Sequence, residues 1–167
     1  GVHGNEPSGV QALQKVFKKL NAEKPKINGA FVGIIANTTA LQNEVRYIDE
    51  DLNRTWTDKN LKFKIIDTSE KREMFEIIEV LESLCETEFT NYYFMDCHTT
   101  SSDSLPYMSV QDVGQNLSWS KHFPLHIIKG FSDLVKGTID GYFSKKIGMN
   151  GFTLEAGQHQ SATSEIY

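Results

Sequence analysis

Short apolar runs alternating with helix-spaced stretches predict an α/β fold, a mixed, largely parallel sheet with helices on both faces. Three observations carry this expectation. The apolar runs are continuous rather than alternating, as in strands buried on both faces. The stretches between them repeat apolar residues with helical period. Asn37, His98 and Glu155 each come straight after an apolar run, which places them at the carboxyl ends of strands, where such sheets collect ligand groups.

The elements follow in order. Pro7-Ser8 suits a first helical turn, and Val10, Leu13, Val16, Phe17 and Leu20 then form one apolar stripe with Lys15, Lys18 and Lys19 off it. Pro25 ends that helix. Residues 30–36, Ala-Phe-Val-Gly-Ile-Ile-Ala, predict a buried strand. From Asn37 to Thr68 the chain is polar and aperiodic, and ordered loops of that length are usually functional. Met74, Ile77, Ile78, Leu81 and Leu84 mark a second helix, with Thr68 or Ser69 as its cap and Glu70 and Glu73 suited to its first turn. Tyr92 to Met95 predicts a strand with His98 just past its end, and Tyr107–Val110 and Leu125–Ile128 predict two shorter ones. Leu134, Val135, Thr138, Ile139, Tyr142 and Phe143 predict a third helix that stops near Gly148. Gly151–Leu154 is the last strand, with Glu155 at its tip.

A chain of 167 residues fits one domain, residues 1–167, with a sizeable core. Its net charge of −5 argues against nucleic acid as a partner. No apolar stretch approaches the roughly 20 residues of a membrane span, so no membrane partner is expected. Cys85 and Cys97 lie in apolar patterns without a Cys-x-x-Cys pair and read as buried thiols of a cytoplasmic protein. The Asn37, Asn53 and Asn116 triplets of N-x-[ST] form read as chance matches. The sequence opens without Met inside a glycine-bounded motif, which suggests a fragment. A homo-oligomer stays open.

The chemistry concentrates in four places. His3 and Glu6 are spaced H-x-x-E, and His98 ends the Asp96-Cys97-His98 run. Two imidazoles and one carboxylate are the protein ligands of a catalytic zinc that keeps one position for water. Asp96 is placed to orient a ligand from behind. Each residue taken singly has a plainer reading, His3 as a surface histidine and His98 as one satisfied by backbone. Glu155, flanked by Leu154, Ala156 and Gly157, is the candidate general base, because partial burial raises a carboxyl pKa toward a useful range. Arg46 is the candidate for polarising a scissile carbonyl. Asn53 and Arg54 are candidates for gripping a substrate carboxylate. The alternative for both arginines is neutralisation of Glu44, Asp49, Glu50 and Asp51. His122, His126 and His159 have no matching context and read as structural or exposed.

Together, Gly1-Val2-His3-Gly4-Asn5-Glu6, residues 46–54 (Arg-Tyr-Ile-Asp-Glu-Asp-Leu-Asn-Arg), Asp96-Cys97-His98-Thr99-Thr100 and Leu154-Glu155-Ala156-Gly157 resemble the succinylglutamate desuccinylase/aspartoacylase family, a branch of the zinc carboxypeptidase-like hydrolases. The four motifs occur in the family's order over nearly the whole chain. The resemblance implies a zinc carboxypeptidase-like fold and an amidohydrolase using one zinc ion. Its substrate would be a small N-acyl acidic amino acid, from which it removes a succinyl or acetyl group. By position, His3, Glu6 and His98 correspond to the metal ligands, Glu155 to the base and Arg46 to the carbonyl-polarising arginine. Asn53 and Arg54 correspond to the residues that hold the substrate carboxylate. Cys97 stands where relatives commonly have leucine. Lys145-Lys146 stand where an aspartoacylase carries a substrate arginine, about ten residues before the base. Relatives also have a strand before the first motif and a β-rich C-terminal region, neither of which this sequence contains. A carboxypeptidase-type peptidase with the same metal site, and a zinc-binding domain without catalysis, remain the alternatives.

Overall fold

The computed structural model describes residues 1–85, 89–159 and 161–166. Its sheet has four strands, β1 (Tyr93–Thr100), β2 (Tyr107–Val110), β3 (His126–Lys129) and β4 (Asn150–Gln158), in the order β1-β4-β2-β3. β4 runs parallel to β1 and antiparallel to β2, while β2 and β3 are parallel. The mixed, largely parallel sheet predicted from the sequence is therefore the observed one.

Side chains alternate across this sheet. Phe94, Asp96 and His98 of β1 share a face with Thr153 and Glu155 of β4. On that face Phe94 meets Leu52, Trp56, Met74, Ile77, Ile78, Leu81, Ile139 and Phe143 in the larger core. The opposite face carries Met108, Val110, Phe152 and Leu154, covered by Trp119 and Phe123. There, too, helix α1 (Ser8–Glu23) approaches β1 closely: a Cβ on Gly9 would stand 2.6 Å from Cys97 Cβ. Cys97 is a free, half-buried thiol, and burial pushes its pKa up to about 11, so it stays protonated and inert. The side chain of Cys85 lies outside the described residues.

The predicted first helix is α1, closed by Lys24 in the left-handed conformation, whose N–H reaches Leu20 O at 2.8 Å just before Pro25. The predicted second helix is α4 (Ser69–Cys85), which buries Met74, Ile77, Ile78 and Leu81 as expected. Each such side chain stabilises the fold by about 1.5–3 kcal/mol. Thr68 is its cap, accepting the Lys71 N–H at 3.3 Å. No helix among the described residues is long and apolar enough to cross a membrane.

Four expectations need correction. Residues 30–36 form no strand: Phe31, Val32 and Ile35 are 48%, 47% and 42% exposed, and no ladder reaches them. An apolar run becomes a buried strand only where a neighbour accepts its hydrogen bonds. Here the run instead lies along α1, with Phe31 against Phe17 at 5.3 Å. The segment from Asn37 to Thr68 is not one loop; it holds α2 (Thr38–Gln42), a 3-10 turn (Leu52–Arg54) and α3 (Asp58–Phe63). The single helix expected over 134–143 is broken. α5 (Phe131–Leu134) ends, Gly137 takes φ +72°, and α6 (Ile139–Tyr142) restarts behind the Thr138 cap before a π turn over Phe143–Ile147. Gly137 is required there both by its φ and because a Cβ would stand 2.4 Å from Arg54 O. His98 and Glu155 also sit inside their strands rather than just past them, since β1 runs to Thr100 and β4 to Gln158.

Candidate active site

The opening turn is built by packing. Val2 is buried, and the Asn37 amide donates to its carbonyl at 3.3 Å. Gly4 donates its N–H to Arg46 O at 3.2 Å, and the Glu6 N–H closes on His3 O at 3.1 Å. A Cβ on Gly4 would lie 2.1 Å from the Ala40 carbonyl carbon, so only glycine lets this turn sit against α2. Gly4→Ala is expected to cost about 3 kcal/mol or more, read as a lowered Tm in thermal unfolding, because backbone rather than a flexible side chain must yield.

This turn delivers His3 and Glu6 to the end of β1. His3 Nδ1 lies 2.8 Å from Glu6 Oε1, and His98 Nδ1 lies 3.3 Å from Glu6 Oε2. The three residues are buried, and one donor atom from each falls within 4.8 Å of the others. The outer nitrogens are held by acids: His3 Nε2 meets Asp51 Oδ1 at 2.9 Å, and His98 Nε2 meets Asp96 Oδ2 at 2.9 Å. Each ring is thus fixed with Nδ1 turned inward. Imidazoles backed by carboxylates, with the other nitrogen turned toward a shared carboxylate, are the arrangement of metal-binding histidines. The donor set, two imidazoles and a carboxylate, suits zinc.

The electrostatics follow from this crowding. Burial works to raise the Glu6 pKa, but hydrogen bonds from His3 and His98 outweigh it and hold the carboxyl well below the usual range. Burial works to lower the His98 pKa, but Asp96 and Glu6 outweigh it and push it up. Asp51 is depressed against its own burial by His3 and then Arg46. Glu155 goes the other way. It is mostly buried, its Oε2 has no hydrogen-bond partner among the described residues, and burial raises its pKa to about 7. Glu6 and Asp96 reinforce the rise, while His98 and His3 oppose it. Glu155 pairs with His98 in the β1–β4 register, so the base candidate stands beside the cluster on the same face.

Arg46 reaches the same place. Its Nη2 lies 2.9 Å from Asp51 Oδ2 and its Nη1 3.6 Å from Glu6 Oε1, while the side chain stays 40% exposed. Arg46 thus both neutralises an acid, as the alternative reading had it, and faces the cluster. Asn53 and Arg54 follow in the 3-10 turn whose N-cap is Asp51, which accepts the Asn53 N–H at 2.9 Å. The Asn53 side-chain oxygen accepts the Ile139 N–H at 2.9 Å, and the exposed Arg54 guanidinium donates to Asn53 O. Neither residue touches the cluster directly. Lys146 pairs with Asp58 at 2.8 Å on the surface, and Lys145 is exposed.

Two roles escaped the sequence reading. Asp51, expected only as an acid that an arginine neutralises, also holds His3, 48 residues away, and no local spacing betrays that. Glu70, expected only to favour a helix start, is fully buried and accepts the N–H groups of Ile48, Asp49 and Glu50 at 2.7, 3.1 and 3.2 Å. In return Asp49 accepts the Ser69 N–H at 2.8 Å. This exchange holds the loop that carries Arg46 and Asp51. Of the histidines read as structural, His159 meets Thr99 Oγ1 at 2.7 Å, one residue beyond His98.

The family described as Succinylglutamate desuccinylase/Aspartoacylase catalytic domain matches residues 1–167. An N-acyl-aromatic-L-amino acid amidohydrolase (carboxylate-forming) B of Danio rerio is 28% identical over all of this chain and 56% of its own length. A succinylglutamate desuccinylase of Photorhabdus laumondii is 24% identical over 95% of this chain and 51% of its own. The chain therefore spans about half the length of these curated relatives. The crystal structure of the succinylglutamate desuccinylase from Chromobacterium violaceum superposes with a TM-score of 0.81 at 19% identity, over 99% of this chain and 54% of that one. At that identity the likeness speaks for the fold.

Proposed function

Because the chain belongs to the succinylglutamate desuccinylase/aspartoacylase family, we propose that residues 1–167 form the catalytic domain of a zinc-dependent amidohydrolase that releases the acyl group of an N-acyl amino acid. The observation that carries this reading is the buried convergence of His3, Glu6 and His98 within 4.8 Å, each histidine braced by its own carboxylate.

His3, Glu6 and His98 would hold the ion. When bound, zinc supplies Lewis acidity, which polarises a carbonyl and makes water more acidic. Glu155 takes the proton of the attacking water and returns a proton to the leaving nitrogen. Burial, which raises its pKa above the usual carboxylate range, suits it to both halves of that exchange. Arg46, steadied by Asp51, meets the carbonyl oxygen as negative charge grows on it. The Asn53 oxygen is committed to Ile139, so its NH2 group and the exposed Arg54 fork are left to hold the substrate carboxylate.

An acidic amino acid bearing a succinyl or acetyl group is the substrate we favour, on the strength of that cationic fork. The relatives named above divide between a desuccinylase and an N-acyl-aromatic-L-amino acid amidohydrolase, so amine release is best compared for N-succinylglutamate, N-acetylaspartate and N-acetylphenylalanine on the zinc-loaded protein. Turnover of an N-acyl acidic amino acid at least about tenfold faster, a difference of roughly 1.4 kcal/mol in the barrier, is the expected result. Preference for N-acetylphenylalanine overturns the acidic assignment. Cleavage of unblocked dipeptides alone would favour a carboxypeptidase-type peptidase.

A further inference from the structure

β1 and β4 fall out of step beside the His3, Glu6 and His98 cluster. His98 pairs with Glu155 but Thr100 with Gln158, so β4 advances three residues while β1 advances two. Gly157 lies in the longer stretch and takes φ +82°, a left-handed turn that favours glycine. Irregularities of this kind re-aim groups next to active sites. At this step the Thr99 N–H donates to Glu6 Oε2 at 2.7 Å.

His159, the first residue past β4, grips the same step twice. Its N–H donates to Thr100 O at 3.0 Å, and its ring Nδ1 shares a hydrogen bond with Thr99 Oγ1 at 2.7 Å. Thr99 is buried and His159 half-buried, which limits competition from water for the hydroxyl. A ligand carboxylate is itself held by hydrogen bonds from behind. The other groups facing Glu6 are His3, His98 and Arg46, and a bound ion or substrate engages each of these. The Thr99 N–H is the contact that stays with Glu6 throughout.

Resting on the amidohydrolase reading and its metal ligands, we propose that His159 is a positioning residue for the metal site. Through the Thr99 hydroxyl it sets the backbone N–H that holds the Glu6 carboxylate toward His3 and His98, and so it sets the affinity for the ion.

Zinc affinity of the full chain, measured by competition with a chromogenic chelator, tests this without turnover. His159→Ala keeps the backbone bond to Thr100 and removes the ring. It is expected to weaken zinc binding about tenfold, as loss of a group that orients a ligand does. Thr99→Val keeps the volume, removes the hydroxyl and should weaken binding equally. The double variant should be no weaker than either single one, because both remove the same bond. Thr99→Ser keeps the hydroxyl, and His159→Asn sets a polar atom where Nδ1 stands, so both should bind zinc as the parent does. A role in stability alone would lower the unfolding temperature of the metal-free variants and leave zinc affinity unmoved. Parent affinity in His159→Ala and Thr99→Val overturns the proposal, as do additive losses in the double variant or no recovery in His159→Asn. Tight zinc binding by a parent that hydrolyses no N-acyl amino acid sinks the amidohydrolase reading and leaves the role of His159 standing. A parent that binds no zinc overturns both.

Discussion

Glu155→Gln is expected to lower kcat by about 10³-fold, within the range of general acid–base catalysis, while zinc content stays that of the parent. Glutamine fills the same space but can neither accept the proton of water nor return one to the leaving nitrogen. Glu155 is not among the three clustered ligands, so its loss leaves the ion's site untouched. Zinc analysis and steady-state kinetics on one preparation check both halves, and near-parent turnover would refute the base assignment.

The same substitution has an opposite effect on stability, with a definite sign. The Glu155 pKa rises from 4.5 to about 7 on folding, chiefly through burial. The folded state therefore binds the proton more tightly than the unfolded one. That contribution is fully present below the unfolded pKa of 4.5 and is lost as pH rises toward 7. At pH 8 the parent carries a buried ionised carboxylate costing about 3 kcal/mol. In the metal-free protein Glu155→Gln should thus unfold at a higher temperature than the parent at pH 8, and the difference should vanish near pH 4. Activity of the zinc-loaded parent should fall on the acid side as Glu155 is protonated, at a lower pH than in the metal-free protein, because the cation's charge favours the carboxylate.

Glu6→Ala is expected to remove stoichiometric zinc and with it all measurable turnover. Glu6 is one of the three proposed ligands, and its carboxylate also joins the other parts of the site. Oε1 meets His3 and approaches Arg46, while Oε2 accepts the Thr99 N–H at 2.7 Å and faces His98. Without it, two imidazoles remain and a buried backbone N–H loses its acceptor, a cost of about 1–3 kcal/mol. Metal analysis after dialysis against dilute zinc, with thermal unfolding alongside, reads both losses. A variant that retains one tightly held zinc would show that Glu6 is not a ligand.

Much of the molecule was legible in one dimension. α1 and α4 follow from apolar residues at helical spacing, because each helix presents one stripe to a core and needs no distant partner to define it. The catalytic candidates were legible as residue types at telling positions. The failures share one cause. Residues 30–36 have the composition of a buried strand, but strand pairing is a property of two segments, and no described strand pairs with them. The third helix failed because Gly137 takes a left-handed turn against the Arg54 carbonyl, a contact more than 80 positions away in the chain.

The amino-acid sequence by itself determined which groups could do chemistry here: two imidazoles, a set of carboxylates and two guanidinium forks on an α/β scaffold. Tertiary structure alone decided their partnerships. Asp51 backs His3 and steadies Arg46, Glu70 fixes the loop that carries them, and β-sheet register sets Glu155 between His98 and Tyr107. Residue identity is local, but hydrogen-bond geometry and desolvation arise only when distant segments are packed together. Those two quantities turn the acids of one cluster into anchors held ionised and leave Glu155 with a pKa near 7.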